Sequence, residues 1–331
     1  MLNIDNFPYL IAEAGVAHFG SFKNAKKLLD AAIKARCNAF KIQVFDTERL
    51  FAEEAKGWKE RLKHRVLKVE EIKKLSELCS ENNIDFIITP HDDFIFKYLN
   101  HIKINAIKIG SGEVGNLDFI SRCFDLTDYL ILSTGLSSIG DIDKVVKIGK
   151  KKSKEFAILH CNTAYPTDDN EVNLSVINQF KKKYPNNLIG YSDHTKDHLA
   201  CIGAVFNGAK IIERHITLEK NIPNAQDWKV SSLPNELKDL RSQINRAFTQ
   251  VGCPTKKITE SAKKNIYWAC KSPYLIRAVK KGEELSEEKF IMQRPFSGTN
   301  LKDIFKLNKK VFFKENLKKG DPIQVDKLDF V

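Results

Sequence analysis

Polar side chains recur in this sequence at the points where short apolar, strand-like runs end. The runs are rich in β-branched and aromatic residues, which is typical of buried strands. The polar residues at their ends are Glu13, Lys41, Gln43, Thr89, Lys108, Ser111, Glu113, Ser133, Thr134, His160, Asn162, Thr163, Tyr165, Ser192, Asp193, His194, Glu213, Arg214 and His215. Burying so many polar and ionic groups without a function would cost too much free energy. The pattern therefore predicts one site that is assembled from many strand ends.

Two lysines and several hydroxyls in this set predict a pocket for a phosphate or a carboxylate. Lys41 and Lys108 supply positive charge, and the Gly-Ser-Gly turn around Ser111 supplies backbone N–H donors. The alternatives for Lys108 are a structural ion pair and a Schiff-base lysine. A Schiff-base enzyme usually needs one desolvated lysine, whereas this chain has two lysines beside anion-binding groups. We therefore favour anion binding.

His194 and His215 end consecutive predicted strands, so their rings can converge on one divalent ion. Two histidines leave the remaining coordination positions to water or substrate, which is the open arrangement of a catalytic metal site. The alternative is a pair of histidines that only form hydrogen bonds, and their spacing is compatible with both.

The elements that must position these residues are strands that alternate with amphipathic helices. The strand-like runs are YLIAEAG (9–15), AFKIQVF (39–45), DFIITP (85–90), AIKIGSGE (106–113), YLILSTG (129–135), FAILHCN (156–162), LIGYSD (188–193) and AKIIERHIT (209–217). Segments between them, such as FKNAKKLLDAAIKAR, have apolar residues at i, i+3 and i+4. This alternation predicts an α/β fold, the (β/α)8 TIM barrel, whose active site lies at the carboxyl ends of the strands. A doubly wound sheet is the alternative, but no G-x-G-x-x-G follows the first strand.

The alternation ends at residue 252, which predicts a barrel domain over residues 1–252. Residues 253–270 are largely polar and are expected to form a linker. Residues 271–331 contain two similar units, each with an apolar strand, then K-K-G, then a small helix or turn. They predict a small β-rich domain that would be marginally stable unless it docks on something.

The composition limits the partners and the location of the protein. Its hydrophobic content of 42% and charged content of 29% are ordinary for a globular protein. The net charge of +12 raises the question of nucleic acid, but aromatic residues do not alternate with the basic runs, so we predict no nucleic-acid partner. No apolar stretch approaches the roughly 20 residues that span a bilayer, and the N-terminus lacks the features of a signal peptide. We therefore expect no membrane association and a cytoplasmic location.

Seven motifs, in their order along the chain, resemble the sialic acid synthase family. They are IAEAG, KIQVF, KIGSGE, LSTG, HCNTAYP, GYSDHT and ERHIT, and the tail AVKKGEELSEEKFIMQRPFSG resembles the family's C-terminal antifreeze-like (SAF) domain. The resemblance covers essentially the whole chain. It implies condensation of phosphoenolpyruvate with an open-chain N-acetylated amino sugar, which gives a nine-carbon 2-keto-3-deoxy sugar acid (a nonulosonic acid) and phosphate. It also implies a role in surface glycan biosynthesis and a homodimer that swaps its antifreeze-like domains.

The resemblance implies a role for individual residues as well. His194 and His215 would hold a divalent ion, Mn²⁺ or else Mg²⁺ or Co²⁺, which polarises the aldehyde oxygen. Phosphoenolpyruvate would be bound by Lys41, Lys108, Ser111, Ser133, Thr163 and Ser192. The sugar would be bound by Glu13, Gln43, Glu113, Tyr165, Asp227 and, from the partner's swapped domain, Arg294. The catalytic residues would be Glu13, Lys41, Lys108 and Glu113, and the sequence does not say which carboxylate is the general base.

Two loops depart from the family pattern. Relatives commonly read N-H-N-G after the first strand, where this chain has AHFG (17–20). Relatives often carry P-G-x-D-H after the eighth strand, where this chain has PNAQDWKVS (223–231), with Trp228 in place of His. Both loops are expected at the sugar end of the site, so they predict either a changed acceptor or drift around an unchanged one.

Two rival hypotheses remain beside the nonulosonic acid synthase. One is a phosphoenolpyruvate-dependent synthase that acts on a different, shorter aldose, and the antifreeze-like tail argues against it. The other is a catalytically silent carbohydrate- or ice-binding relative. The retention of Lys41, Lys108, His194 and His215 argues against this rival, because a silent scaffold gains nothing from buried charges.

Overall fold

The first of two compact units in this protein is a closed barrel of eight parallel strands. The computed structural model describes residues 8–223, 225, 227–305 and 310–331, and the two units are Met1–Gly252 and Cys253–Val331. The barrel strands are β1 (Tyr9–Gly15), β2 (Ala39–Val44), β3 (Asp85–Pro90), β4 (Ala106–Ile109), β5 (Leu130–Ser133), β6 (Phe156–Cys161), β7 (Leu188–Asp193) and β8 (Ile211–His215). They pair in chain order, and β8 closes the barrel on β1. The predicted (β/α)8 fold is confirmed.

Helices follow most of the strands and cover the outside of the barrel. They are α1 (Phe22–Lys34), α2 (Thr47–Leu50), α3 (Lys56–Leu62), α4 (Val69–Glu81), α5 (Leu117–Leu126), α6 (Ile139–Lys151), α7 (Ser175–Lys183), α8 (Leu199–Phe206) and α9 (Pro234–Val251). A 3₁₀ segment, Asp93–His101, connects β3 to β4. The local sequence determines where α1 begins, because Ser21 is its N-cap and accepts from the backbone N–H of Asn24 at 3.3 Å.

The inward face of the barrel changes from apolar to polar along each strand. Its apolar layer includes Ile11, Ala39, Ile87, Ala106, Ile131, Leu159 and Ile211. Two residues further along the same strands come Glu13, Lys41, Thr89, Lys108, Ser133, Cys161 and Glu213. Because successive strand residues point to opposite faces, residues two apart share one face. The apolar layer therefore closes the floor of the barrel, and the polar layer lies above it at the carboxyl ends.

Some of the polar strand-end residues point outward instead and stabilise the layer between strands and helices. The Nη1 atom of Arg214 donates to Asp193 Oδ2 at 2.5 Å and to the carbonyl oxygen of Thr195 at 2.8 Å, and both side chains of the ion pair are buried. His160 Nε2 lies 2.7 Å from the carbonyl oxygen of Val172. These residues alternate with inward-facing neighbours, which explains why they do not enter the site.

The second unit is small and β-rich, as predicted. Strand β9 (Ser272–Leu275) pairs antiparallel with β10 (Phe290–Gln293), and β11 (Val311–Phe313) pairs antiparallel with β12 (Leu328–Phe330). Its own core includes Leu275, Val279, Ile304, Phe313 and Ile323. The remaining helices, all in this unit, are α10 (Glu260–Lys263), α11 (Ile266–Ala269) and α12 (Leu301–Phe305). Residues 253–270, expected as a linker, belong to this unit and include α10 and α11.

None of the helices within the described ranges is long and apolar enough to cross a membrane.

Candidate active site

An inner cavity of about 180 Å³ opens at the carboxyl ends of the barrel strands. Its walls are the polar inward-facing residues and the first residues of the loops that follow them. The lining residues are Glu13, Lys41, Gln43, Thr89, His91, Lys108, Gly110, Ser111, Gly112, Ser133, Cys161, Thr163, Tyr165, Ser192, His194, Glu213 and His215. All eight strands contribute, and most of the side chains that the sequence marked for chemistry meet here.

Two lysines and two glutamates form a buried network at the base of this cavity. Lys41 Nζ lies 2.9 Å from Glu13 Oε2 and 3.8 Å from Glu213 Oε2. Lys108 Nζ lies 3.4 Å from Glu213 Oε1 and donates to Ser133 Oγ at 2.6 Å. Burial alone raises the pKa of Glu213, but Lys108 and Lys41 outweigh burial and lower it to about 2. Glu213 is therefore ionised and links the two lysines.

Hydroxyl and amide donors lie beside the lysines. Ser111 Oγ accepts from the backbone N–H of Gly135 at 2.9 Å. A Cβ on Gly135 would collide with Thr163 Oγ1, so only glycine allows Ser111 and Thr163 to lie this close to the backbone. Ser192 Oγ donates to Glu213 Oε1 at 2.9 Å. Ammonium groups and hydroxyls in a confined cavity are the groups that bind carboxylate and phosphate oxygens.

His194 and His215 face each other, with ring centroids 5.2 Å apart. His194 Nδ1 lies 2.6 Å from the carbonyl oxygen of Asn162. Because a carbonyl only accepts, Nδ1 carries a proton and the second ring nitrogen of His194 is free for another partner. Burial and the neighbouring His194 hold the pKa of His215 well below its usual value, so His215 is neutral at neutral pH.

A metal ion fits this pair only as an open site. The donors that face each other are the two imidazoles, and Asp227 Oδ2 lies 4.0 Å from His215 Nδ1. Within the described ranges, no three or more His, Cys, Asp or Glu side chains are grouped closely enough to enclose an ion. Burial lowers the pKa of His194, but the neighbouring Cys161 raises it by more, so the pKa lies above its usual value. Cys161 Sγ lies 3.7 Å from His194 Nδ1. A bound cation would use the second ring nitrogen of His194, because Nδ1 is bonded to the Asn162 carbonyl, and it would take its remaining ligands from water or substrate.

An outer cavity of about 230 Å³ adjoins the inner one, and Gln43, His91, Tyr165 and His215 line both. Its other walls come from the loop after β1, from α3 and the turn that follows it, and from the loop after β8. The residues of these walls are Val16, Ala17, Phe19, Trp58, Arg61, Leu62, Arg65, Thr217, Ile222, Ala225, Asp227 and Trp228. The two loops that depart from the family pattern therefore line the same cavity.

The walls of the outer cavity combine aromatic rings with arginines. The guanidinium of Arg61 lies 4.9 Å from the Trp58 ring, and that of Arg65 lies 4.8 Å from the Phe19 ring. The loop after β1 can approach the turn after α3 because Gly20 has no side chain, since a Cβ there would collide with the carbonyl oxygen of His64. This approach brings Phe19 and Arg65 into contact.

The remaining predicted residues lie elsewhere. Glu113 is half-buried in the 3₁₀ turn Ser111–Glu113, accepts from Asn116 Nδ2 at 3.1 Å, and lines neither cavity. Arg294 belongs to the second unit, where its Nε donates to the carbonyl oxygen of Ala269 at 3.0 Å. In the NAQDW loop, Asn224 and Gln226 lie outside the described residues.

Three kinds of cavity residue received no role from the sequence. Glu213 was noted at a strand end, but its link between two lysines depends on how β2, β4 and β8 meet. His91 continues the inward alternation of Thr89 beyond Pro90, and this period was the signal for it. Trp58, Arg61 and Arg65 come from a connection whose sequence does not predict that it folds over the site.

Fold and site together define a (β/α)8-barrel enzyme whose lysine-containing site lies at the carboxyl ends of its strands. The chain belongs to the NeuB family, whose family model matches residues 28–256. It is 35% identical over 305 residues to the N,N'-diacetyllegionaminic acid synthase of Campylobacter jejuni, covering 87% of this chain and 91% of that protein.

Two further similarities agree with this assignment. The chain is 31% identical over 266 residues to the N-acetylneuraminate-9-phosphate synthase of Drosophila melanogaster, covering 76% of this chain and 71% of that protein. Among solved structures, the N-acetylneuraminic acid (sialic acid) synthetase of Leptospira borgpetersenii matches with a TM-score of 0.74 at 34% identity. That match covers 79% of this chain and 90% of the other. The family expected from the sequence motifs is confirmed.

Proposed function

We propose that this protein is a nonulosonic acid synthase for surface glycan biosynthesis. It condenses phosphoenolpyruvate with an open-chain N-acetylated amino sugar and releases phosphate. The observation that carries the proposal is the inner cavity, where Lys41, Lys108 and several hydroxyls surround a space beside two histidines. Its membership of a family that contains legionaminic and neuraminic acid synthases supports the same reaction.

The residues divide the chemistry between the two cavities. Lys41 and Lys108, with Ser111, Ser133, Thr163 and Ser192, bind the carboxylate and phosphate of phosphoenolpyruvate. The acceptor enters through the outer cavity with its aldehyde toward His215. C3 of phosphoenolpyruvate forms the new bond to the aldehyde carbon, the aldehyde oxygen takes up a proton, water adds at C2, and phosphate departs to leave the 2-keto group. Glu13 would orient the acceptor and exchange protons, and its contacts with Gln43 Nε2 at 3.3 Å and with Lys41 at 2.9 Å support this role.

His194 and His215 would hold a divalent ion, Mn²⁺ in the first instance, with Mg²⁺ or Co²⁺ as alternatives. Such an ion supplies Lewis-acid polarisation of the aldehyde oxygen. The support is the donor set itself, because His215 is neutral and its ring faces that of His194 across the cavity.

The walls of the outer cavity support an acceptor with apolar substituents at its distal end. Phe19, Trp58 and Trp228 contribute rings, and Ala17 and Ile222 contribute aliphatic surface. N-acyl methyl groups or deoxygenated carbons pack against these rings and aliphatic side chains better than hydroxyls do, because a hydroxyl that faces them would lack a partner there. Arg61 and Arg65 would donate to acyl carbonyl oxygens. Plain N-acetylmannosamine is therefore expected to be a poorer substrate than a more heavily acylated sugar.

The test is phosphate release from phosphoenolpyruvate with Mn²⁺ across a panel of aldoses. The panel contains N-acetylmannosamine, its 6-phosphate, a diacetamido trideoxyhexose, and shorter aldoses without nitrogen. Release with the diacetamido sugar and formation of a nine-carbon keto acid, detected by mass spectrometry, are expected. Release only with a shorter aldose would support the first rival. Absence of release with every acceptor, from protein that is folded by circular dichroism, would refute the synthase.

The proposal includes a cytoplasmic homodimer in which an antifreeze-like second unit provides Arg294 to the partner's acceptor site. The two antiparallel strand pairs of the second unit suit such a domain. All seven cysteines are free thiols, which suits a reducing compartment.

A further inference from the structure

His91 lies where the inner and outer cavities meet. It follows β3 directly and lines both cavities, together with Gln43, Tyr165 and His215. Each of the other three has a contact at the site: Gln43 donates to Glu13, Tyr165 stacks on His194 with ring centroids 4.1 Å apart, and His215 lies beside Asp227.

The His91 ring has packing contacts, but its polar atoms have no protein partner among the described residues. It makes an edge-to-face contact with the Phe45 ring, with centroids 6.1 Å apart. Its Cε1 would lie 3.6 Å from a Cβ on Gly110, so the ring also lies close to the backbone that leads into the Ser111 turn. No hydrogen bond of its ring nitrogens occurs within the part of the chain that the structure describes. The ring is half-buried and lines both cavities, so a ligand that fills them can supply the partner its nitrogens lack within the protein.

The electrostatic surroundings define what kind of group that partner is. Burial, and then the charges of Lys41 and Lys108, lower the pKa of His91 to about 4, so the ring is neutral at pH 7. A neutral imidazole offers one N–H donor and one lone pair. This combination suits a hydroxyl or an amide, which also donate and accept, better than it suits a phosphate, which only accepts.

We propose that His91 hydrogen-bonds an uncharged hydroxyl or N-acyl amide of the acceptor, close to the aldehyde end, and so selects and orients the acceptor. The inference rests on the proposed synthase function and adds to it a residue that binds the acceptor. Its position follows from the geometry, since His91 and His215 line the same junction between the cavities. Because the ring contacts Phe45 and lies close to Gly110, the hydrogen bond would be partly pre-organised and would discriminate between acceptors.

The test compares His91→Phe, which keeps a ring and removes both nitrogens, with His91→Asn, which keeps a donor and an acceptor. The matched control is His101→Phe, because His101 is an exposed histidine at the end of the 3₁₀ segment that begins two residues after His91. Phosphate release is measured with acceptor varied at saturating phosphoenolpyruvate, then with the two reversed, and each variant's Tm is recorded. We expect His91→Phe to lower kcat/KM for the acceptor by roughly 10- to 100-fold. In His91→Phe the KM for phosphoenolpyruvate should change less than about twofold. His91→Asn should recover part of the lost kcat/KM for the acceptor. His101→Phe should match the wild type.

A packing role would give a different result. The proposal would be overturned if both His91 variants lost kcat/KM equally for the two substrates and also had a lower Tm. It would also be overturned if His91→Phe left kcat/KM for the acceptor unchanged. The wild type is assayed in parallel, so absence of turnover there would refute the synthase function itself rather than the role of His91. A second readout uses acceptor analogues that each lack one hydroxyl or acyl group. The wild type should use the analogue that lacks the group bonded to His91 with a lower kcat/KM than the full acceptor, and this disadvantage should disappear in His91→Phe. An undiminished disadvantage for every such analogue would also count against the proposal.

Discussion

Glu213 holds two buried lysines in place at the base of the inner cavity. Glu213→Gln keeps the shape of the side chain but removes its charge, and Lys41 and Lys108 are left with one carboxylate between them. Breaking a buried ion pair in this way is expected to lower the free energy of unfolding by about 3–5 kcal/mol. Phosphate release should fall by about 100-fold or more, because the ammonium groups lose their positions. Urea denaturation and a phosphate assay measure the two effects.

Glu236→Gln is the matched control for this substitution. Glu236 pairs with Lys220 at 3.3 Å on the protein surface, where 47% of its side chain is exposed. Solvent screens such a pair, so the control should change the free energy of unfolding by less than about 1 kcal/mol. A similarly small effect at Glu213 would mean that the two lysines do not depend on it.

His215 tests the metal assignment at the scale of a single residue. His215→Ala removes one of two imidazoles that face each other, and one histidine with water ligands binds a divalent ion far more weakly. We expect the purified variant to retain no stoichiometric metal by elemental analysis and to release no phosphate. His198→Ala is the control, because His198 bonds Ser232 Oγ and lines neither cavity. Turnover or metal content at the wild-type level in His215→Ala would show that the ion, if any, is held elsewhere.

At the scale of elements, the outer cavity depends on loops that meet over the barrel. Trp228 lies in the 3₁₀ turn Asp227–Val230 and lines this cavity. Trp228→Ala should raise the KM for the acceptor about tenfold, the equivalent of one lost aromatic contact. The KM for phosphoenolpyruvate should stay within about twofold, because Trp228 does not line the inner cavity. Steady-state kinetics with each substrate varied provide the measurement.

Phe206→Ala is the control for Trp228, since Phe206 is half-exposed at the end of α8 and lines neither cavity. It should leave both KM values unchanged. If Trp228→Ala raised the KM for phosphoenolpyruvate as much as that for the acceptor, the division of labour between the two cavities would be wrong.

The two cavities also differ in how far the sequence could predict them. The inner cavity is built on strands, and a period of two assigns Glu13, Lys41 and Lys108 to one face as soon as the strands are recognised. The same rule extends to His91, but the strand-like run appeared to end at Pro90. The outer cavity depends on contacts between loops, such as Gly20 against His64, and no local pattern encodes which loops meet. Glu113 follows β4 closely but lines neither cavity, so its predicted role at the acceptor stays a prediction.

At the scale of the whole molecule, the question is what the second unit adds to the barrel. Arg294 is exposed in that unit, and its guanidinium lies 5.9 Å from the Trp268 ring. If Arg294 serves the acceptor site of a partner chain, Arg294→Ala should raise the KM for the acceptor and leave phosphoenolpyruvate binding unchanged. Arg277→Ala is the control, since Arg277 belongs to the same unit and pairs with Glu283 at 2.6 Å.

A complementation experiment tests whether Arg294 of one chain acts in the acceptor site of the other chain. Arg294→Ala and His215→Ala chains, each inactive or weakened alone, are co-expressed with different tags, and the mixed dimers are purified. In a mixed dimer with swapped second units, the site with an intact His215 receives Arg294 from the other chain, so one of its two sites is complete. Such dimers should recover roughly half of the wild-type activity, whereas an Arg294 that served only its own chain would give no recovery. Light scattering checks the dimer, and a monomer under assay conditions would contradict the swap directly.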